Sequence, residues 1–335
     1  MQKKWKVLLL ALVLALSVGA FAACSGDGEQ DGHKDDPGQT QTDETNGYGY
    51  LCIEDVKVTI DSNKHATFAE IDPYFTKLEK AEPLTYTYDT SAIKIENNIV
   101  TPLKRESQTV NVRAKSEHFN VVFGVEVEYR NLSGNPLYDL SAFTSGISSG
   151  QAKCRSITPD TTLFIGDSFM DDYYIGEYME SYAADKDVIN AGISSTTSYH
   201  WEVMFSDIIG KTAPKNIVLH IGTNNFYDAN DGVEFTEESL TRLMMYLHTS
   251  YPSSEIYWFN ITQRVNTAHT GKVDETNTYM ANWCARYDWI NCVDTCSLVT
   301  TGMLCDDGIH PKTETYKVFT DALAEAGCEI VSKGA

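Results

Sequence analysis

Leu163-Phe164-Ile165-Gly166-Asp167-Ser168-Phe169-Met170 is the stretch on which the reading of this chain turns. The apolar run Thr161 to Ile165 has the length of a buried strand, and a helical segment follows from Met170 to Ala184. Ser168 is thereby placed on a strand-to-helix turn, at the carboxyl edge of a sheet and the amino end of a helix. A hydroxyl, free backbone N–H groups and the positive end of a helix dipole coincide there. A nucleophilic hydroxyl and the oxyanion it generates need these three together. The competing reading of this stretch alone is a helix cap made by Asp167-Ser168.

The chain beyond it alternates strands with helices. Further strands are expected at Val188–Asn190, Ile217–Ile221, Glu255–Asn260 and Trp289–Val293. Helices are expected at Tyr199–Ile209, Thr236–Tyr251, Asp274–Tyr287 and Lys312–Ala326. In the second of these, Leu240, Leu243, Met244 and Leu247 share one face, and Thr236 is the expected N-cap. Repeated βα units imply a parallel sheet covered on both faces, with ligands bound past the carboxyl ends of its strands. Four such ends carry chemistry: Gly166-Asp167-Ser168, Asn190-Ala191-Gly192, Gly222-Thr223-Asn224-Asn225, and Asp306-Asp307-Gly308-Ile309-His310-Pro311.

Acyl transfer requires a nucleophile, a base, a group that orients the base, and donors for the oxyanion. Ser168 fits the first role and His310 the second. Asp307 lies three residues before His310, with Gly308 between to allow a tight turn, so its carboxylate can reach the ring N–H of the same loop. The backbone amides of Ser168 and Gly192 and the side-chain amide of Asn224 are the candidate oxyanion donors. His220 is read as core, Asp167 as a structural hydrogen-bonder, and Pro311 as the start of the last helix.

The four stretches, in this order and spacing, resemble the SGNH (GDSL-type) hydrolase superfamily over about residues 160–326. That resemblance implies a three-layer αβα, flavodoxin-like domain with a parallel sheet and a serine esterase activity. Phe169 stands where that family usually has Leu, and Asn225 where Asp is frequent. The G-x-S-x-G elbow of the α/β-hydrolases is absent, because Met170 occupies its last position. No metal and no cofactor are expected. Tyr173, His200, Trp201 and Phe226 lie near the site strands in sequence and are candidate substrate contacts.

The preceding region is different. Lys3, Lys4 and Lys6, an apolar run from Val7 to Phe21, and Phe21-Ala22-Ala23-Cys24 resemble a bacterial lipoprotein signal over residues 1–23. The resemblance implies lipidation of Cys24, export, and tethering to a membrane at the cell surface. Residues 24–50, rich in Gly, Asp, Gln and Thr, read as a disordered tether. Residues 51–130 show short runs of period-two alternation, which imply a small all-β sandwich. Asp89 to Ile95, a turn, and Ile99-Val100-Thr101-Pro102-Leu103 resemble bacterial group 2 immunoglobulin-like domains. Residues 131–159, polar and rich in Gly and Ser, read as a connection with one strand around Leu137 to Phe143, and 160–335 as the hydrolase domain.

A formal net charge of −21 argues against a nucleic-acid partner. Besides Cys24, an odd set of thiols remains: Cys52, Cys154, Cys284, Cys292, Cys296, Cys305 and Cys328. Buried or free thiols are favoured over disulfides. An exported, tethered enzyme meets glycans first, and the acidic Asp171-Asp172 beside the serine does not suit a lipid rim. These points favour an O-acetylated carbohydrate as substrate. A lipase or lysophospholipase, a thioesterase, and a catalytically silent glycan-binding lipoprotein are the alternatives.

Overall fold

The computed structural model describes residues 48–76, 81–265 and 267–334. The expected signal peptide, Cys24 and nearly all of the tether lie outside the described residues. Nine short strands come first: β1 (Leu51–Cys52), β2 (Val56–Asp61), β3 (Ala69–Glu70), β4 (Tyr74–Phe75), β5 (Thr85–Thr87), β6 (Ile93–Glu96), β7 (Ile99–Pro102), β8 (Gln108–Lys115) and β9 (Asn120–Arg130). They form a four-stranded sheet, β2-β9-β8-β5, a three-stranded sheet, β3-β7-β6, and the pair β1-β4. The alternation in the sequence is what closes them. Val110, Val112 and Ala114 point inward from β8 and meet Val58, Ile93 and Val100 in one core. β2 pairs with β9 in parallel, whereas β8 and β9 are antiparallel.

The second half is a three-layer α/β fold. Its strands are β10 (Thr162–Gly166), β11 (Val188–Asn190), β12 (Asn216–His220), β13 (Glu255–Phe259) and β14 (Ile290–Val293). All neighbours are parallel, in the order β11-β10-β12-β13-β14. Successive residues feed opposite layers. Leu163, Ile165, Ile217, Leu219, Ile256 and Trp258 join one core. Phe164, Val218, Tyr257 and Phe259 join the other. This is why the strands read as continuous apolar runs. The first core is covered by α1 (Thr144–Cys154), α3 (Ser198–Ile209), α5 (Val233–Ser250) and α6 (Thr270–Cys284). The second is covered by α2 (Asp172–Tyr182) and α7 (Tyr316–Glu325), while α4 (Thr223–Tyr227) is one short turn after β12.

Three local expectations are corrected. Residues 131–159 hold no strand; they form two 3₁₀ turns, Pro136–Tyr138 and Ser141–Phe143, followed by α1. The glycines that read as a linker are a packing face. A Cβ on Gly146 would lie 2.8 Å from Ile193, and one on Gly150 3.1 Å from Ile208, so only a small residue lets α1 sit this close. Thr236 is not an N-cap; α5 starts earlier, capped at Gly232, and the Thr236 hydroxyl donates to the Gly232 carbonyl. Pro311 does not open the last helix. It bridges back to Leu304, and the helix begins beyond it with the 3₁₀ turn Thr313–Thr315.

The β region is fastened to the α/β layers by buried polar contacts. Glu202 of α3, fully buried, accepts from Arg130 Nη1 at 2.6 Å and from Arg242 Nη2 at 2.9 Å. His65 Nε2 lies 3.0 Å from Ser206 Oγ, and Thr249 Oγ1 donates to the Ala66 carbonyl at 2.8 Å. Phe68 packs edge-on against Tyr287 and Trp289.

Candidate active site

In a sheet of this order the first strand connects outward to β11 and the chain then returns to β12 on the other side. The crevice between β10 and β12 is where such folds bind ligands. Ser168 follows β10 and Asn224 follows β12. Asp167 caps the 3₁₀ turn Ser168–Met170 by accepting from Phe169 N at 3.1 Å. Its Oδ1 also meets His220 Nδ1 at 3.0 Å, so both expectations hold: Asp167 is a structural bonder and His220 a fully buried core residue. Phe169, next to the serine in sequence, stacks on the His220 ring at 3.9 Å.

Three side chains from distant parts of the chain form one hydrogen-bonded row. His310 Nε2 lies 2.8 Å from Ser168 Oγ, and His310 Nδ1 lies 2.7 Å from Asp307 Oδ2. The loop is built for this. Gly308 adopts φ +67°, and Asp307 Oδ1 accepts from the amides of Ile309 at 2.8 Å and His310 at 3.0 Å. Cys305 N donates to the His310 carbonyl at 2.7 Å and closes the loop. Burial alone would raise the Asp307 carboxyl. The hydrogen bonds from the His310 ring and from the two amides hold it below its ordinary value instead. The ring bond goes to Asp307, not to its exposed neighbour Asp306. Tyr174 stacks on the imidazole with centroids 3.6 Å apart and planes 13° from parallel.

The candidate oxyanion donors follow β11 and β12, the strands on either side of β10. The amides of Ala191 and Ile193 donate to the Phe164 and Gly166 carbonyls, at 2.8 and 2.9 Å; Gly192 N–H, between them, has no acceptor among the described residues. A Cβ on Gly192 would lie 2.2 Å from the Met170 carbonyl, so no other residue fits this approach. Asn224, nearly fully buried, donates one N–H to the Thr196 carbonyl at 2.9 Å and keeps its second. Thr196 Oγ1 in turn donates to the Ile193 carbonyl at 2.8 Å. Asn225 accepts from Ser198 N at 3.1 Å and anchors the start of α3.

Two expected substrate contacts are not available. Trp201 and Phe226 are fully buried. The Trp201 indole is held by the Gly166 carbonyl at 3.2 Å and Thr196 Oγ1 at 3.0 Å. His200 turns its ring back: Nδ1 accepts from Thr197 N at 3.1 Å and completes a capping box on α3. Burial lowers its pKa to about 4. Tyr173 is 84% exposed. Beside Gly192 is a cavity of about 260 Å³ lined by Ser145, Ser149, Lys153, Asp171 and Asp172 among others.

Arg264 was not foreseen. It follows β13, a strand whose carboxyl end carries no recognisable motif, and that position was the available signal. Its Nη2 donates to Asn224 Oδ1 at 2.9 Å and its Nε to Thr223 Oγ1 at 3.2 Å.

Residues 164–318 match the model of the GDSL-like Lipase/Acylhydrolase family. No curated protein matches the chain. Among solved structures, a GDSL-like lipase from Bacteroides thetaiotaomicron is 15% identical with a TM-score of 0.46, covering 57% of this chain and 97% of its own. An acetylxylan esterase from Geobacillus stearothermophilus, solved as a catalytic mutant, is 18% identical with a TM-score of 0.43, covering 52% and 97%. A carbohydrate esterase of family 3 from Talaromyces cellulolyticus is 15% identical with a TM-score of 0.41, covering 49% and 95%. The site lies within residues 164–318, and that segment, a little under half of the chain, matches a GDSL-like lipase/acylhydrolase domain, a family of carboxylic ester hydrolases.

Proposed function

We propose that this protein is a serine esterase that removes short acyl groups, O-acetyl above all, from carbohydrate. The observation that carries the reading is the hydrogen-bonded row Ser168–His310–Asp307. Ser168 Oγ attacks the ester carbonyl while His310 Nε2 takes its proton. Asp307 fixes the tautomer that leaves Nε2 free to accept. The tetrahedral oxyanion receives N–H bonds from Ser168, Gly192 and Asn224. On collapse the bond from the acyl carbon to the sugar oxygen breaks, His310 gives its proton to that oxygen, and an acyl-serine remains. Water, deprotonated by His310, attacks that ester; the bond to Ser168 Oγ then breaks, His310 returns the proton to Oγ, and the carboxylic acid leaves.

Support for a sugar leaving group comes from the cavity next to Gly192. Two serines, a lysine and two aspartates among its lining suit a polyhydroxylated alcohol better than an acyl chain. We read the amino-terminal segment as a lipoprotein signal with lipidated Cys24, which would hold the enzyme at the bacterial surface. The β region, read as immunoglobulin-like, would act as a rigid spacer. The test is acetate release from acetylated xylan and from p-nitrophenyl acetate, compared with long-chain p-nitrophenyl esters. Turnover of the short esters and of the polysaccharide supports the reading. Preference for long chains favours a lipase, and no turnover of any ester leaves a silent binding protein.

A further inference from the structure

We propose that Arg264 is a positioning residue of the oxyanion hole: it sets the orientation of the Asn224 amide and lends its N–H positive character. The proposal rests on the esterase reading given above. The Arg264 guanidinium grips the short α4 and the residue after it. Nη2 donates to Asn224 Oδ1 at 2.9 Å, Nε to Thr223 Oγ1 at 3.2 Å, and the guanidinium carbon lies 4.3 Å above the Tyr227 ring. An amide has two orientations related by a flip, and only one suits an oxyanion. With Oδ1 on a guanidinium and one N–H on the Thr196 carbonyl, the remaining N–H is the donor left for substrate. The flipped amide would set NH₂ against guanidinium N–H, donor against donor. A charge-assisted bond to Oδ1 also polarises the amide, so the free N–H becomes a stronger donor.

A second observation indicates that this cation does more than hold a loop. The Arg264 side chain is only 8% exposed, yet its ion pair among the described residues is a long one, 3.8 Å, to Asp228, whose side chain is 57% exposed. Buried charges are normally closely paired. Here the positive charge is left incompletely compensated beside the place where negative charge develops. Burial lowers the Arg264 pKa against the opposing pull of Asp228, Asp167 and Asp307. The segment is also fixed from the opposite side, because Val265 N donates to the Gly308 carbonyl at 2.9 Å. Arg264 thus ties the oxyanion amide to the loop that carries Asp307 and His310.

The experiment is a double-mutant cycle on p-nitrophenyl acetate with R264M, N224A and the pair, plus R264K. R264M is expected to lower kcat by about 10- to 100-fold with KM changed less than about threefold, since donor strength acts in the transition state. In the N224A background the same change should cost less than about threefold. R264K, which restores the charge and one donor, should recover part of the lost rate. A full R264M effect persisting without Asn224, or a rise in KM at constant kcat, overturns the positioning role while the esterase reading stands. An N224A enzyme as fast as wild type overturns both the oxyanion assignment and this proposal. Should R264M not fold, R264K carries the cycle: its loss must vanish in N224A.

Discussion

Asp307→Asn is the most informative single substitution at the base. Asp307 Oδ2 takes the ring N–H of His310 at 2.7 Å, and Oδ1 takes two backbone amides. An asparagine keeps the size and can keep its Oδ1 on those amides. Its NH₂ then faces the imidazole. The ring must turn its lone pair towards that NH₂, which leaves the proton on Nε2, the atom 2.8 Å from Ser168 Oγ. A protonated Nε2 cannot accept the serine hydrogen. The wrong tautomer in a comparable serine enzyme lowers kcat by about 10⁴, or roughly 5.4 kcal/mol at 1.36 kcal/mol per decade. The assay is kcat for p-nitrophenyl acetate, with circular dichroism to confirm folding. Asp306→Asn is the internal control and should stay within about twofold, a surface change with no ring contact. A loss below about tenfold in D307N, or an equal loss in D306N, refutes the assigned orientation of the imidazole.

Other consequences follow from the same geometry. Gly192→Ala forces a Cβ to within 2.2 Å of the Met170 carbonyl, so the amide proposed as an oxyanion donor must move; kcat should fall by about 10²–10³ without loss of secondary structure. Glu202→Ala leaves Arg130 and Arg242, each 13% exposed, without their buried counter-charge. Denaturant unfolding should show a loss of about 3–5 kcal/mol. His200 has its pKa lowered by burial to about 4, against 6.5 when unfolded, so the unfolded chain binds the extra proton between those values. Stability should therefore be complete above about pH 6.5 and fall as pH drops towards 4, by about 2–3 kcal/mol at 1.36 kcal/mol per unit. His200→Asn should flatten that slope, and an unchanged slope would remove His200 as its source.

The sheet was legible because its strands are short apolar runs ended by glycine and polar residues. Val188–Asn190 coincides with β11, and the others shift by a residue or so. Ser168, Asp307 and His310 were legible for a local reason. The turn chemistry of Asp-x-x-His and the strand-to-helix step both lie within a few residues in sequence. What was not legible depends on contacts between distant segments. Thr144–Cys154 has a single strongly apolar residue, Ile147, so its Gly/Ser face reads as a linker until α3 lies against it. Trp201 and Phe226 sit next to site residues in sequence, but helical periodicity turns both into the core. Tyr174, one residue from the exposed Tyr173, is the ring that covers the base. Arg264 lacks any motif around it; only the fold brings it onto Asn224.

The central claim is that Ser168 is a nucleophile activated by His310, and a fluorophosphonate probe reads it directly. One equivalent of probe should attach at Ser168, located by peptide mass mapping. The rate of labelling should drop by at least about 10³-fold in His310→Ala, in line with removal of one member of a catalytic row. Labelling at another residue, or at Ser168 with an unchanged rate in H310A, would contradict it.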